Sequence, residues 1–260
     1  MRHLLASTCL AALVTVQAHA ETTVADKRIA PIRTSTIKAG ARDDIRITSA
    51  GSVVPTTGGA AVFLDSANKV VNEGTIQITN VDNTIGIRAE AGLTGSITNA
   101  ANAKIIIDET YVPADDDKDG DVDGPVAAGT GRYGIRTMGA FTGDIVNNGQ
   151  ISIEGKDSAA VQTGGRLDGK FVTDGTLTVV GDRSVGVRLG DVTGGVQAAA
   201  VGQPTTAVRL AGSIAVVGKD AVGASLEGNL NGSLVVQGTI TATGYRATTP
   251  PTDTSKLDAD

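Results

Sequence analysis

The densest chemistry in the chain is the run Asp115-Asp116-Asp117-Lys118-Asp119-Gly120-Asp121-Val122-Asp123. Counted from Asp115, this is the spacing of a calcium-binding loop. The carboxylates of Asp115, Asp117 and Asp119 converge on one hard cation, and Gly120 makes the sharp bend. Asp121 offers its backbone carbonyl, and Asp123 reaches the ion through water. Val122 fills the place where such loops hold an aliphatic side chain. Val126 stands where a bidentate Glu would complete a tight site, so the expected Ca2+ affinity is weak, on the order of 10⁻⁴ to 10⁻³ M. The competing reading is a solvated acidic loop kept open by its own repulsion.

Other reactive residue types are scarce. His3, His19 and Cys9 all lie in the first twenty residues, and the chain has no Trp. Beyond residue 20, therefore, Ser-His-Asp and Cys-His catalysis, His or Cys zinc sites, haem ligation and disulfides are excluded. What remains for an enzyme is the acidic run, the near-regular arginines Arg88, Arg136, Arg188 and Arg209, and Arg132 close to that run. Glycoside hydrolysis would need two carboxylates at a defined separation; lyase chemistry would combine calcium with a basic Arg or Lys. Tyr111, Tyr133 and Tyr245 are the only tyrosines available to stack on a sugar. Arginines at repeat-equivalent places are more simply a solvent-facing column.

The first twenty residues read as an export signal. Arg2 and His3 give a positive start, Leu4 to Val16 is apolar, and Ala18-His19-Ala20 is an A-x-A cleavage site before Glu21. The apolar run is shorter than the roughly 20 residues needed to span a bilayer. The net charge is −6, so loss of Arg2 leaves −7. Acidity of this order disfavours nucleic acid as a partner.

The elements that must position these residues are set by a repeat. An apolar-Gly-apolar-Arg piece occurs at Ile85-Gly86-Ile87-Arg88, Tyr133-Gly134-Ile135-Arg136 and Val185-Gly186-Val187-Arg188, with looser copies at Ala159-Ala160-Val161-Gln162 and Val222-Gly223-Ala224-Ser225. A second glycine follows at Gly95, Gly143, Gly169 and Gly232, and Gly-x-Ile-x-Ile-like pieces follow at Gly149, Gly175 and Gly238. Gly134 to Ala160 and Ala160 to Gly186 are each 26 residues. Gly86 to Gly134 is 48, or 26 plus 22, and Gly186 to Gly223 is 37, or 26 plus 11. These intervals predict two insertions, one at about 110–131 holding the aspartates and one at about 198–207.

Each unit holds three short runs of period-2 alternation, such as Ile151-Ser152-Ile153, separated by Gly, Asn and Asp. Helical periodicity is absent after residue 20. Three strands cannot bury their inward Ile, Val and Leu alone, so units must stack. The expectation is an all-β, right-handed parallel β-helix of about 26 residues per coil over 21–247, with seven or eight coils. A sandwich of hairpins is the competing fold, but Asn148-Gly149 recurs as Asp-Gly and Gln-Gly at repeat positions, which hairpin turns do not require. Glycine, 34 of 260 residues, is read as the corner requirement, and aromatic scarcity as the mark of a thin aliphatic interior. The segment Glu21 to Ala39 is expected to cap the first coil. The Pro- and Thr-rich stretch 248–260 is expected to be a truncated end.

The export signal, the degenerate Gly- and Thr-rich repeats and these pieces together resemble the passenger region of bacterial autotransporters of the type V secretion class, of the large alphaproteobacterial kind. The resemblance implies a chain displayed at the cell surface and held at the outer membrane by a C-terminal translocator barrel. Such a barrel needs amphipathic strands with aromatic girdles, which this sequence lacks. The chain is thus expected to be the N-terminal part of a passenger. The implied role is a structural or adhesive rod contacting a host or neighbouring-cell surface, matrix or polysaccharide. The alternative is a β-helix carbohydrate-active enzyme using the acidic insertion. The aspartate spacing itself is similar to the calcium loops of dockerin-like and thrombospondin-type repeats more than to a paired EF-hand.

Overall fold

The structure is a computed structural model that describes residues 21–116, 118, 122–195, 205–243, 253 and 255. All its regular elements are strands, and every inter-strand pairing within its sheets is parallel. Three sheets run the length of the stack, as expected of a parallel β-helix. The first holds eight strands, from Glu21–Val24 to Ser233–Val236, and the second eight, from Lys27–Arg28 to Thr239–Thr243. The third holds seven, from Ile32–Arg33 to Val222–Leu226.

The repeat phase read from sequence is the pairing register. Tyr133 pairs with Ala159 and Ala159 with Val185, each 26 residues on. Across the insertions, Ile85 pairs with Tyr133 and Val185 with Val222. The apolar-Gly-apolar-Arg pieces build the third sheet, and the Gly-x-Ile-x-Ile pieces build the second. Inward Ile, Val and Leu of all three sheets form one core cluster. Each fully buried aliphatic side chain contributes roughly 1.5–3 kcal/mol of transfer free energy.

A fourth, short sheet was not expected. Leu93–Thr94, Phe141–Thr142 and Leu167–Asp168 pair in the middle coils. Here the interior also departs from a purely aliphatic one: Phe141 and Phe171 are fully buried. Phe141 lies on the fourth sheet and Phe171 on the adjoining first sheet.

The segment expected to cap the stack supplies the first coil itself. Glu21–Val24, Lys27–Arg28 and Ile32–Arg33 are the outermost strands of the three sheets. Lys27 and Arg28 are exposed, and charge on an edge strand disfavours further pairing. Asp65 fastens the next turn to this coil. It accepts the Ser35 N–H and hydroxyl at 2.9 Å each, the Thr34 hydroxyl at 3.2 Å and Arg33 at 3.2 Å.

Two features were invisible in the sequence. The first is a buried amide ladder inside the first sheet. Asn72 donates from Nδ2 to Asn99 Oδ1 at 2.8 Å, Asn99 to Asn147 at 2.8 Å, and Asn147 to the Thr173 hydroxyl at 3.1 Å. All four side chains are fully buried, and satisfied amides on successive strands are an economical solution to that burial.

The second concerns glycine. Gly143, Gly155, Gly181 and Gly218 have positive φ between strands, as corner residues do, but Gly86, Gly134, Gly186 and Gly223 lie mid-strand in the third sheet and have another role. A methyl group on Gly86 would lie 2.6 Å from Ile105 Cγ2 and from the Gly134 carbonyl oxygen. Ile151, Ile214 and Ile240 of the second sheet crowd Gly134, Gly186 and Gly223 in the same way. Alanine takes this position in two coils. Ala160 belongs to a coil that carries Leu177 where the preceding one has Ile151, whereas Ala61 belongs to a coil that carries Ile76. A leucine opposite gives the alanine methyl more room, but an isoleucine there does not by itself require glycine.

Candidate functional site

The insertion holding the aspartates leaves the second sheet after Lys104–Asp108 and rejoins the third at Arg132–Thr137. Both its ends are held by one buried ion pair. The Arg132 guanidinium meets Glu109 at 2.8 Å, and the two side chains are 3% and 5% exposed. A buried pair is tolerable only when its remaining donors and acceptors are filled, and here they are. Arg132 also donates to the carbonyls of Glu154 at 2.7 Å and Val81 at 3.1 Å, and to Asp82 at 3.1 Å. Glu109 accepts the N–H groups of Ala128 at 2.6 Å and Gly129 at 2.8 Å. Residue 109 at the start of the insertion thereby grips residues 128–132 at its end. By its place beside the acidic run, Arg132 is a candidate base for lyase chemistry. Its side chain is instead enclosed and fully engaged in closing the neck of the loop.

Of the five expected calcium ligands, Asp117, Asp119 and Asp121 lie outside the described residues. Asp115 is exposed and Asp123 half-buried. The two flanks of the run come together: the Asp116 N–H donates to the Asp123 carboxylate, and the Asp123 N–H donates to the Ala114 carbonyl at 2.8 Å. Lys118 has a φ of 63°, a left-handed residue in keeping with a tight reversal. Among the described residues no group of three or more His, Cys, Asp or Glu side chains could hold a metal ion.

The tyrosines are placed as follows. Tyr111 donates its hydroxyl to the Pro125 carbonyl at 3.0 Å, across the insertion. Tyr133 lies on the third sheet, and Tyr245 lies outside the described residues. Arg88, Arg136 and Arg188 do form a column on the third sheet, with Gln162 between the last two. Arg209 does not belong to it: it sits on the first sheet and pairs with Asp174 at 2.9 Å. Its x-Val-Arg-Leu context imitates the repeat piece, but lacks the glycine. The second insertion falls between Val185–Leu189 and Thr206–Leu210. Residues 196–204 lie outside the described residues, and Thr206 and Ala207 already belong to the strand.

An open groove of about 460 Å³ runs beside the fourth sheet, floored by Gly95, Gly143 and Gly169. Its carboxylates are engaged by cations: Asp144 pairs with Lys170 at 3.6 Å, and Asp168 with Arg166 at 2.5 Å. Comparison with family models, with curated proteins and with solved structures finds no match to this chain.

Proposed function

We propose that the chain is an exported surface rod, a passenger-type β-helix of the autotransporter class, that acts as an adhesive or structural element. The observation that carries this reading is the continuity of three parallel sheets through seven or eight coils. Such a stack offers long, regular faces, and ion pairs such as Arg209 with Asp174 and Arg46 with Glu21 and Glu73 join successive coils. The export signal supports delivery beyond the inner membrane, and a core free of cysteine needs no disulfide chemistry to fold there.

The acidic insertion is, in this reading, a calcium-responsive appendage. Its neck is fixed by Glu109 and Arg132, so cation binding would order the loop without disturbing the coils. Supporting this, the Asp116 and Asp123 flanks already face each other. Asp115, Asp117, Asp119 and Asp123 would hold the ion by side chains, or water in the last case, and Asp121 by its carbonyl. Millimolar calcium is expected to slow amide exchange across residues 110–131, and Asp117→Ala to abolish the effect. Identical exchange with calcium and with chelator would contradict it.

The rod reading itself is tested by adhesion. Beads coated with the full chain are expected to be retained on cell or abiotic surfaces under flow, with no release of reducing sugar from polysaccharide. Turnover of an acidic polysaccharide that disappears on Asp117→Ala would favour the enzyme instead.

A further inference from the structure

We propose that the outer face of the third sheet is a docking strip for a linear acidic polysaccharide, with Arg136 as its anchoring cation. This rests on the adhesive reading above and names the kind of partner.

The register sets Arg33, Phe63, Arg88, Arg136, Gln162 and Arg188 on successive strands of one column. Neighbouring strands are about 4.8 Å apart, so the column presents planar, hydrogen-bonding groups at a regular interval along the rod. The interval is comparable to the length of one sugar residue in an extended chain.

Three of the four arginines have carboxylate partners. Arg33 meets Asp65 at 3.2 Å, Arg88 meets Glu90 at 2.8 Å and Arg188 meets Glu227 at 3.0 Å. Arg136 has none among the described residues. Its guanidinium lies 4.2 Å from the centroid of the Tyr133 ring, and its Nε, like those of Arg88 and Arg188 in the same column, is buried without a hydrogen-bond partner. The neighbouring Gln162 Oε1 is likewise buried and unpartnered.

The fold does not ask for this arrangement. Gln162 occupies the same column one coil later, so a neutral side chain satisfies the sheet. Glu90 already offsets the charge of Arg88 on the neighbouring strand, so Arg136 is the arginine of the column whose charge no described carboxylate balances. An anion docked at Arg136 supplies that balance. Stacking on Tyr133 holds the guanidinium plane, and a planar fork presented edge-on matches a carboxylate in two parallel hydrogen bonds. The Gln162 amide, one coil away, matches a sugar hydroxyl. Phe63 lies in the same column with Arg33 at 3.7 Å over its ring, so both partly exposed rings of the third sheet fall on this face. A polyanion lying along the axis would meet Arg88 and Arg136 together and reach Arg188 two coils on.

The test is equilibrium binding of the full chain to polygalacturonate, with dextran as the neutral probe and duplex DNA as an unrelated polyanion, all in chelator so that the acidic insertion is silent. The expected result is saltable binding to polygalacturonate only. Arg136→Gln should raise Kd at least tenfold, and Arg136→Lys should give an intermediate loss because charge without the fork remains. Arg183→Gln, the same charge change at an exposed arginine outside the column, should alter Kd less than twofold. Circular dichroism shows whether each variant keeps its β-fold, and the Lys variant covers the case of a misfolded Gln variant. Absence of binding, equal binding of dextran or DNA, or equal losses for Arg136→Gln and Arg183→Gln would overturn the proposal. Retention of coated beads without polygalacturonate affinity would sink the strip alone, whereas loss of both would sink the adhesive reading too.

Discussion

The Nδ2 of Asn99 donates to the Oδ1 of Asn147 at 2.8 Å although 48 residues separate them. Asn99 also receives the Asn72 amide, so it is the middle rung of the buried ladder. Asn99→Leu is expected to destabilise the rod by about 2 kcal/mol, because it leaves polar groups of two buried neighbours without partners. Leucine itself suits the column, since Leu210 occupies it next to Thr173. The loss therefore reports the broken ladder, and urea denaturation of the variant measures it.

Arg132 and Glu109 make the corresponding prediction for the acidic insertion. Removing one member of a buried pair strands the other, at a cost of roughly 3–5 kcal/mol. Arg132→Met is expected to fall in this range and to speed amide exchange at residues 109–131 before the flanking strands. Protection confined to its wild-type pattern would show that the neck is held by something else.

The Gly134 and Ile151 pairing predicts a compensating double substitution. Gly134→Ala places a methyl against Ile151 Cγ2 and is expected to cost about 1–3 kcal/mol as overpacking. Adding Ile151→Leu reproduces the Ala160 and Leu177 arrangement of the next coil and should recover part of that loss. A double-mutant cycle in thermal or urea unfolding reads the coupling.

Asp65 gives the first coil a pH dependence. Burial pushes its carboxyl pKa upward, but the hydrogen bonds from Ser35, Arg33 and Thr34 outweigh this and hold it below the usual value of 3.8. A depressed folded pKa means that the native state prefers the ionised form. The contribution is present above about pH 4 and is lost as pH falls through the folded pKa. Thermal unfolding midpoints should drop as pH falls below about 4, and Asp65→Asn should flatten that part of the profile while lowering stability at pH 7.

Much of the coil architecture was legible because Gly134, Ala160 and Gly186 recur at a fixed interval, and the longer intervals to Gly86 and Gly223 located both insertions. The role of those glycines was not. A glycine near Asn and Asp reads as a turn, whereas Gly86 is crowded by Ile105 on another sheet, a contact with no local signature. Asn72, Asn99 and Asn147 were hidden for the same reason, since each sits near a corner where asparagine is ordinary. Arg209 was misassigned because Val208-Arg209-Leu210 copies the Val187-Arg188-Leu189 pattern on a strand of a different sheet. The neck of the acidic insertion escaped notice because Glu109 and Arg132 meet only after the coil closes. A glutamate and an arginine flanking an insertion at its two junctions are the signal that could have pointed there.

The adhesive rod is tested most directly by flow retention of beads carrying the full chain, scored alongside sugar release from the same polysaccharide surface. The account predicts retention that rises with chain density and falls with added salt, with no sugar released. Release of sugar without retention would contradict it and mark the molecule as an enzyme.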